Sequence, residues 1–184
     1  MTRDVDTNVG RDVARLKDLI RDVPDFPRPG VVFKDLTPLL ADAEAFSLAV
    51  SAVADHFAGD GVDKVVGIEA RGFIAAAPVA CRMGAGFVPV RKAGKLPWDA
   101  AAQGYDLEYG TDRLELHRDA VRPGERVLIV DDVLATGGTA WATTRLTERL
   151  GGQVVGLGFF VELGFLGGRS RLPGYDLVTL VDYG

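Results

Sequence analysis

The chain has 184 residues, 47% of them hydrophobic and 26% charged, which is ordinary for a globular protein with room for a substantial core. Its formal net charge of -5 comes without a basic tract, which disfavours nucleic-acid binding as the main activity. The single cysteine, Cys81, excludes an intrachain disulfide, and no apolar run reaches the roughly 18 residues of a membrane helix, so we expect a soluble cytoplasmic protein with no membrane partner.

The first predicted elements are two helices separated by a proline-rich segment. Residues 11–23 place apolar side chains at helical spacing and end at Pro24. The segment "PDFPRPG", residues 24–30, is expected to follow a bent, extended path, because its three prolines and one glycine exclude regular structure. Asp42 is the expected N-cap of the second helix, which runs to about Phe57.

Five apolar runs predict strands, at residues 64–68, 86–90, 126–130, 153–161 and 177–182. Helical segments follow the first and third runs, at about 73–83 and 139–150, and Pro78 is expected to kink the first or delay its start. Continuous rather than alternating hydrophobicity is typical of strands buried on both faces of a parallel sheet. We therefore predict one α/β domain, residues 1–184, with a mainly parallel twisted sheet flanked by helices.

A different kind of segment lies between the second and third strands. "YDLEY" and "RLELH" alternate in hydrophobicity around "GTD", which predicts a two-stranded hairpin. The preceding stretch "AGKLPWDAAAQG", residues 93–104, is predicted to be a long loop of small residues, of the kind that acts as a lid.

The most informative stretch is "VLIVDDVLATGGTA", residues 127–140. Ligands of doubly wound sheets bind beyond the carboxyl ends of the strands, where we expect Asp131 and Asp132. The glycines that follow allow a phosphate to approach the amides of a helix N-terminus, and Thr136 and Thr139 add hydroxyl donors. The pattern suits a ribose 5-phosphate, with acids for the hydroxyls and amides for the phosphate. A short motif also permits a purely structural interpretation, in which the acids cap a turn.

That stretch resembles the phosphoribosyl-pyrophosphate-binding motif of type I phosphoribosyltransferases, and the wider pattern is similar to the members of that family that act on adenine. The supporting segments are "IRDVPDFPRPGVVFKDLTPLL" (20–40), "GIEARGFI" (67–74), "VPVRKAGKLP" (88–97), "DLEYGTDRLELH" (106–117) and "VELGFLGGRSRL" (161–172). The resemblance implies the type I fold with an N-terminal hood at about 1–40 and a flexible hairpin lid at about 92–117. It implies a purine-salvage enzyme that transfers the 5-phosphoribosyl group of phosphoribosyl pyrophosphate to adenine, giving AMP and pyrophosphate.

The resemblance also implies roles for individual residues. The 5-phosphate and the ribose would be bound by Asp131, Asp132, Ala135, Thr136, Gly137, Gly138 and Thr139. The pyrophosphate would be bound by Arg71, Arg91, Lys92, Lys95 and Tyr109, and the loop of Arg71 often carries a non-proline cis peptide in this family. Adenine would be bound by Phe26 and Arg28, and Glu108 would be the catalytic proton carrier at purine N7. Taken singly, each of these charged side chains also fits a solvated surface, and Phe26 fits a hydrophobic plug.

Substrate choice rests on Ala135. Members of the family that act on 6-oxopurines typically carry an aspartate at this position, and alanine cannot take a proton, so the resemblance favours a 6-aminopurine. A xanthine-type phosphoribosyltransferase is the alternative enzyme. The alternative from another class is a non-catalytic regulator that senses phosphoribosyl pyrophosphate; it needs a basic winged helix, for which the stretch before residue 24 is expected to leave no room.

The resemblance further implies Mg²⁺, held mainly by phosphoribosyl pyrophosphate and water, with no dedicated metal site on the chain. It also implies a homodimer, in which Arg91 is shared across the interface. His56 and His117 are too few for a metal site, so packing or surface roles are expected for them.

Overall fold

The computed structural model describes residues 7–106 and 111–184, which form two compact units, one reaching to Val50 and the other spanning Ser51–Gly184. The elements that begin in the first unit are α1 (Thr7–Asp18), β1 (Arg21–Pro24), β2 (Val32–Asp35), α2 (Thr37–Ala41) and α3 (Ala43–His56). Strands β1 and β2 form an antiparallel pair. The single domain with its N-terminal hood stays a prediction.

The predicted first helix, residues 11–23, is wrong at its C-terminal end. Helix α1 ends at Asp18, and residues 21–23 belong to β1. Pairing with β2 outweighs the helical spacing of the apolar residues, because the strand ladder satisfies the backbone groups of this segment. An ion pair across the ladder, 2.6 Å from Lys34 Nζ to Asp22 Oδ1, accompanies the pairing.

Asp42 is the N-cap of α3, as predicted. Its Oδ1 accepts a 2.8 Å hydrogen bond from the backbone N–H of Ala45. The cap satisfies one of the N–H groups that have no partner inside the first turn of a helix. The start of α3 is therefore determined locally, by a residue type that the sequence alone reveals.

The second unit is built on a seven-stranded sheet flanked by helices. Its elements are β3 (Lys64–Ile68), α4 (Gly72–Met83), β4 (Gly86–Lys92), β5 (Ala100–Asp106), β6 (Thr111–His117), β7 (Arg126–Leu134), α5 (Gly138–Arg149), β8 (Gln153–Glu162) and β9 (Asp176–Asp182). The strand order is β5-β6-β4-β3-β7-β8-β9; the five strands from β4 to β9 in that order are parallel, and β5 and β6 are antiparallel. This topology confirms the predicted α/β fold with a mainly parallel sheet.

The helices of this unit agree closely with the prediction. Helix α4 begins at Gly72 rather than 73, so Pro78 lies inside the helix and does not delay its start. Helix α5 covers Gly138–Arg149 where 139–150 was expected. None of the described helices has both the length and the apolar character that crossing a membrane requires.

The predicted hairpin is confirmed, but its predicted boundaries are wrong. Ala100–Gly104, expected to lie in the loop at 93–104, form most of β5, and residues 111–112 of the expected turn belong to β6. The reason is pairing and burial on one face: β5 pairs with β6 over seven residue pairs, and Ala101 and Tyr105, on the same face of the strand, both reach the core that α5 also lines. Small side chains in β5 leave room for that helix, so they indicate close packing here and not a loop.

The hairpin joins the parallel sheet at the end of β4. Strand β6 pairs with β4 at Arg91↔Glu115 and Lys92↔Leu114. The backbone of the basic segment at 91–95 is therefore part of the junction between the sheet and the hairpin.

Helix α5 carries buried threonines with satisfied hydroxyls. The side chains of Thr143, Thr144 and Thr147 are buried, and they donate hydrogen bonds of 2.8–2.9 Å to the carbonyls of Thr139, Ala140 and Thr143, respectively. Threonine can satisfy its hydroxyl in this way within a helix. The helix packs on the sheet without leaving these polar groups unpaired.

Candidate active site

Two adjacent carboxylates stand near the end of β7. Residues 127–130 are fully buried, Asp132 is 7% exposed, and Asp131 is partly exposed. The acids lie within the strand and not after it, because β8 is long enough to continue the pairing as far as Leu134↔Glu162. The sheet therefore fixes the backbone of both acids.

Asp131 lies against the first turn of α4. A Cβ atom on Gly72 would be 2.4 Å from Asp131 Oδ1, so the absence of a side chain at Gly72 makes room for this carboxylate. The same oxygen accepts a 2.9 Å hydrogen bond from the backbone N–H of Asp132. Burial, followed by the charge of Asp132, raises the pKa of Asp131 well above its ordinary value. The carboxylate is held in place in surroundings that resist its ionisation.

Arg71 is brought to the second acid. Its Nε lies 2.8 Å from Oδ2 of Asp132. Burial raises the pKa of Asp132, and the positive charge of Arg71 opposes that rise. The loop before Arg71 contains a cis peptide bond between Glu69 and Ala70, as the resemblance implied. The Arg71 side chain is 45% exposed, so one guanidinium can contact both Asp132 and a ligand.

The loop from Ala135 to Thr139 turns the chain from β7 into α5. Gly137 has φ = 78°, in the left-handed region that favours glycine, and α5 begins at the next residue. No side chain among the described residues caps this helix start. The N–H groups of the first turn can therefore bind an anion, which the positive end of the helix dipole also favours.

A second loop lies directly behind the first. A Cβ atom on Gly168 would be 2.1 Å from the carbonyl oxygen of Ala135, and one on Gly137 would be 2.5 Å from the carbonyl oxygen of Gly168. The backbones of the two loops are in close contact here, and they can approach so closely because neither Gly137 nor Gly168 has a side chain. Sequence reasoning missed Gly168; the signal was the double glycine in "GFLGGRS", which carries no side-chain chemistry.

Glu69 organises the basic segment at 91–95. Its side chain is 8% exposed and accepts hydrogen bonds from the backbone N–H of Lys92, at 2.8 Å, and from Nζ of Lys95. Nε of Arg91 lies 3.5 Å from Glu69 Oε2. Burial acts to raise the pKa of Glu69, but Lys95, the Lys92 amide and Arg91 together lower it. Sequence reasoning missed Glu69, although it lies in the segment "GIEARGFI", because its partners Arg91, Lys92 and Lys95 are more than 20 residues away in the sequence.

Lys92 also contacts the hairpin. Its Nζ lies 3.4 Å from Oδ2 of Asp112, and that oxygen accepts a 3.3 Å hydrogen bond from the hydroxyl of Tyr105. Burial, with the charge of Asp112, raises the pKa of Tyr105 to about 12. The tip of the hairpin, with Glu108 and Tyr109, lies outside the described residues.

Phe26 and Arg28 lie in the turn between β1 and β2, in the first unit. The backbone N–H of Phe26 donates to the carbonyl of Val31 at 3.2 Å, and that of Val31 donates to the carbonyl of Arg28 at 3.3 Å. The ring of Phe26 meets Phe33 edge to face at 5.1 Å and is 51% exposed. The turn is closed by its own hydrogen bonds and presents part of an aromatic ring to solvent.

The two histidines lie on different elements, His56 at the end of α3 and His117 at the end of β6. Nε2 of His56 is 3.0 Å from Oδ2 of Asp176. In the part of the chain that the structure describes, no three His, Cys, Asp or Glu side chains form a group that could hold a metal ion.

Comparison with known proteins gives consistent matches. Residues 40–177 match the phosphoribosyl transferase domain family. The chain is 57% identical over 180 residues to an adenine phosphoribosyltransferase from Thermobifida fusca, a match that covers 98% of both chains. The crystal structure of adenine phosphoribosyltransferase from Rhodothermus marinus matches with a TM-score of 0.91 at 53% identity, over 94% of this chain and 99% of that one. The enzyme from Saccharomyces cerevisiae, solved with adenine and D-2,5-dideoxy-2,5-imino-altritol 1,6-bisphosphate, matches with a TM-score of 0.89 at 38% identity, over 94% and 99% of the two chains.

Replacing Asp131 with asparagine is expected to stabilise the fold at neutral pH. Because the folded-state pKa of Asp131 is raised above its ordinary value of 3.8, the folded chain holds this proton more tightly than the unfolded chain does. The free energy of unfolding therefore falls as the pH rises from 3.8 through the folded-state pKa. Asparagine carries no such proton, so the Tm of the variant should exceed that of the wild type above this window and lose its advantage below it.

Thermal unfolding between about pH 4 and pH 8 measures this difference. The matched control is Asp119→Asn at an exposed position, which should leave the Tm unchanged over the whole range. A variant at Asp131 that is no more stable than the wild type at pH 8 would show that the carboxylate is not strained by burial.

Proposed function

Because the chain belongs to the adenine phosphoribosyltransferases, within the phosphoribosyl transferase domain family, we propose that it transfers the 5-phosphoribosyl group of phosphoribosyl pyrophosphate to adenine, releasing AMP and pyrophosphate. This reaction is a purine-salvage step. The observation that carries the proposal is the junction of β7 and α5, where Asp131 and Asp132 are followed directly by the glycine loop at Gly137. The junction offers acceptors for hydroxyls and amides for a phosphate within one short segment.

The two ends of ribose 5-phosphate would meet different groups. The carboxylates of Asp131 and Asp132 accept hydrogen bonds from the ribose hydroxyls, as acceptor-only groups do. The amides of residues 135–139 donate to the 5-phosphate, with the hydroxyls of Thr136 and Thr139 as further donors.

The pyrophosphate leaves as C1 of the ribose develops oxocarbenium character and N9 of adenine attacks it. A leaving group with several negative charges needs cations placed in advance. We assign this role to Arg71, Arg91, Lys92 and Lys95, with Tyr109 from the hairpin. Glu69, which contacts the last three of these basic residues, holds them in position and does not bind the anion itself.

The adenine-binding roles rest on the resemblance and on the exposure of one aromatic ring. Phe26 would stack on the purine, and its partly exposed ring supports that assignment. Backbone groups near Arg28 would meet the purine edge. Glu108 would carry the proton at purine N7, and Ala135 is consistent with this division of labour, because it offers no acid in the phosphate loop.

Magnesium would enter with phosphoribosyl pyrophosphate, whose oxygens and water supply most of its ligands. When bound, it would supply positive charge to offset the negative charge of the pyrophosphate. The residues of the site fit this mode, since Asp131 and Asp132 offer carboxylate oxygens, while the contact of Arg71 with Asp132 suits approach through water.

Exposed apolar side chains on α4 and β4 support a homodimer. Ile74 of α4 is 47% exposed and Phe87 of β4 is 39% exposed, and Phe73, next to Ile74 in the sequence, meets Phe87 edge to face at 5.9 Å. Phe87 shares β4 with Arg91, the residue that the resemblance shares across an interface. The cytoplasm stays the predicted compartment, on the basis of the single cysteine.

Pyrophosphate release tests the proposal. The protein is incubated with phosphoribosyl pyrophosphate, Mg²⁺ and one purine base at a time. We expect turnover with adenine and none with hypoxanthine, guanine or xanthine. Turnover of xanthine but not of adenine would overturn the substrate, and no turnover with any base would leave a sensor of phosphoribosyl pyrophosphate as the function.

Glu69→Gln is expected to raise the KM for phosphoribosyl pyrophosphate by about 10-fold or more, the size of effect seen when supporting partners of ligand-binding groups are removed. The glutamine keeps the size of the side chain but cannot balance the charges of Lys95 and Arg91. The KM for adenine should not change. Glu44→Gln, at an exposed position, is the matched control, and an unaltered KM for phosphoribosyl pyrophosphate in Glu69→Gln would remove Glu69 from this role.

Glu108→Gln is expected to lower kcat by roughly 10²–10⁴, the range of general acid–base catalysis. The amide can neither take nor release a proton at purine N7, while binding of phosphoribosyl pyrophosphate should persist. Steady-state kinetics at saturating substrates measures the loss against the same Glu44→Gln control. A kcat close to the wild-type value would assign the proton transfer elsewhere.

A further inference from the structure

Behind the phosphate loop, an ion pair fixes the residue next to Gly168. Arg169 makes two contacts with Glu162 at the end of β8: Nε to Oε1 at 3.1 Å and Nη2 to Oε2 at 2.5 Å. The Glu162 side chain is 8% exposed. Paired contacts of this geometry determine the orientation of an arginine as well as its position.

Strand β9 completes the network. Nη1 of Arg169 donates to the carbonyl of Leu177, and Nη2 donates to Oγ1 of Thr179, both at 3.3 Å. The hydroxyl of Thr179 in turn donates to Oε2 of Glu162 at 3.1 Å. Arg169 is therefore tied to two neighbouring strands of the sheet, β8 and the edge strand β9.

We infer that the Glu162–Arg169 pair positions the loop that binds the 5-phosphate. Arg169 holds Gly168, and the backbone of Gly168 lies directly against Ala135 and Gly137, where a Cβ atom would be 2.1 Å from the carbonyl oxygen of Ala135 and 2.9 Å from the nitrogen of Gly137. The inference rests on the proposed function, in which this loop receives the 5-phosphate of phosphoribosyl pyrophosphate.

The contacts of Arg169 make it a positioning residue. An arginine close to a phosphate loop would ordinarily be assigned to the phosphate. Here two of its nitrogens are directed to Glu162 and the third to the carbonyl of Leu177. Removing the guanidinium would leave the carboxylate of Glu162 without its charge partner and the backbone at Gly168 free to move.

Three variants separate this role from a general loss of stability. Arg169→Gln is expected to raise the KM for phosphoribosyl pyrophosphate by roughly 10- to 100-fold, the effect of a small misplacement of a binding group. The kcat at saturating substrate and the KM for adenine should change by less than about threefold. Arg169→Lys keeps a charge for Glu162 and should recover part of the affinity. Arg171→Gln, exposed on the same turn, is the matched control and should behave as the wild type.

Calorimetry with ribose 5-phosphate measures binding apart from turnover, and Arg169→Gln should lose affinity for it by the same factor as for phosphoribosyl pyrophosphate. A wild-type chain that makes AMP, with Arg169→Gln keeping its KM for phosphoribosyl pyrophosphate, would overturn this inference and leave the proposed function intact. A wild-type chain that neither binds ribose 5-phosphate nor makes AMP would overturn both. If Arg169→Gln does not fold, Thr179→Val serves instead, because it removes one hydrogen bond of Arg169 and one of Glu162. A KM for phosphoribosyl pyrophosphate raised by about threefold in this variant supports the inference, and an unchanged KM overturns it.

Discussion

The site depends on one electrostatic constraint, which is that two carboxylates on consecutive residues share the buried end of a strand. Burial disfavours the charges of both Asp131 and Asp132, and the charge of Asp132 further disfavours that of Asp131. The surroundings offset this cost in two ways: Arg71 lies 2.8 Å from one acid, and Gly72 leaves room for the other. The loop between β3 and α4 thus accommodates the two acids of β7, although the two segments are far apart in the sequence.

In the basic segment at 91–95, the like charges that lie close together are positive. Arg91, Lys92 and Lys95 repel one another, and two acids, Glu69 and Asp112, lie among them. The cations are therefore held in place by the protein itself. An anion with several charges would meet them already arranged, which lowers the cost of ordering long side chains on binding.

The sequence predicted the parts of the molecule that depend on local patterns. Continuous apolar runs revealed the parallel strands, and Asp42 revealed the start of α3. The predicted first helix is too long at its C-terminal end, because the pairing of β1 with β2 is a tertiary interaction that the spacing of apolar residues does not reveal. Glu69 and Gly168 were missed for a related reason: one acts through charges distant in sequence, the other through the absence of a side chain.

The contact between Lys92 and Asp112 has a consequence for the behaviour of the hairpin in solution. Ion pairs that are open to solvent contribute about 0–1 kcal/mol and weaken as ionic strength rises. Lys92 belongs to one of the two residue pairs that join β6 to β4. Added salt is therefore expected to weaken the attachment of the hairpin to the sheet at this junction. In the function proposed above, the same ions would also screen Lys92 from the pyrophosphate. Ionic strength would then act on hairpin attachment and on anion affinity through the same side chain, and in the same direction.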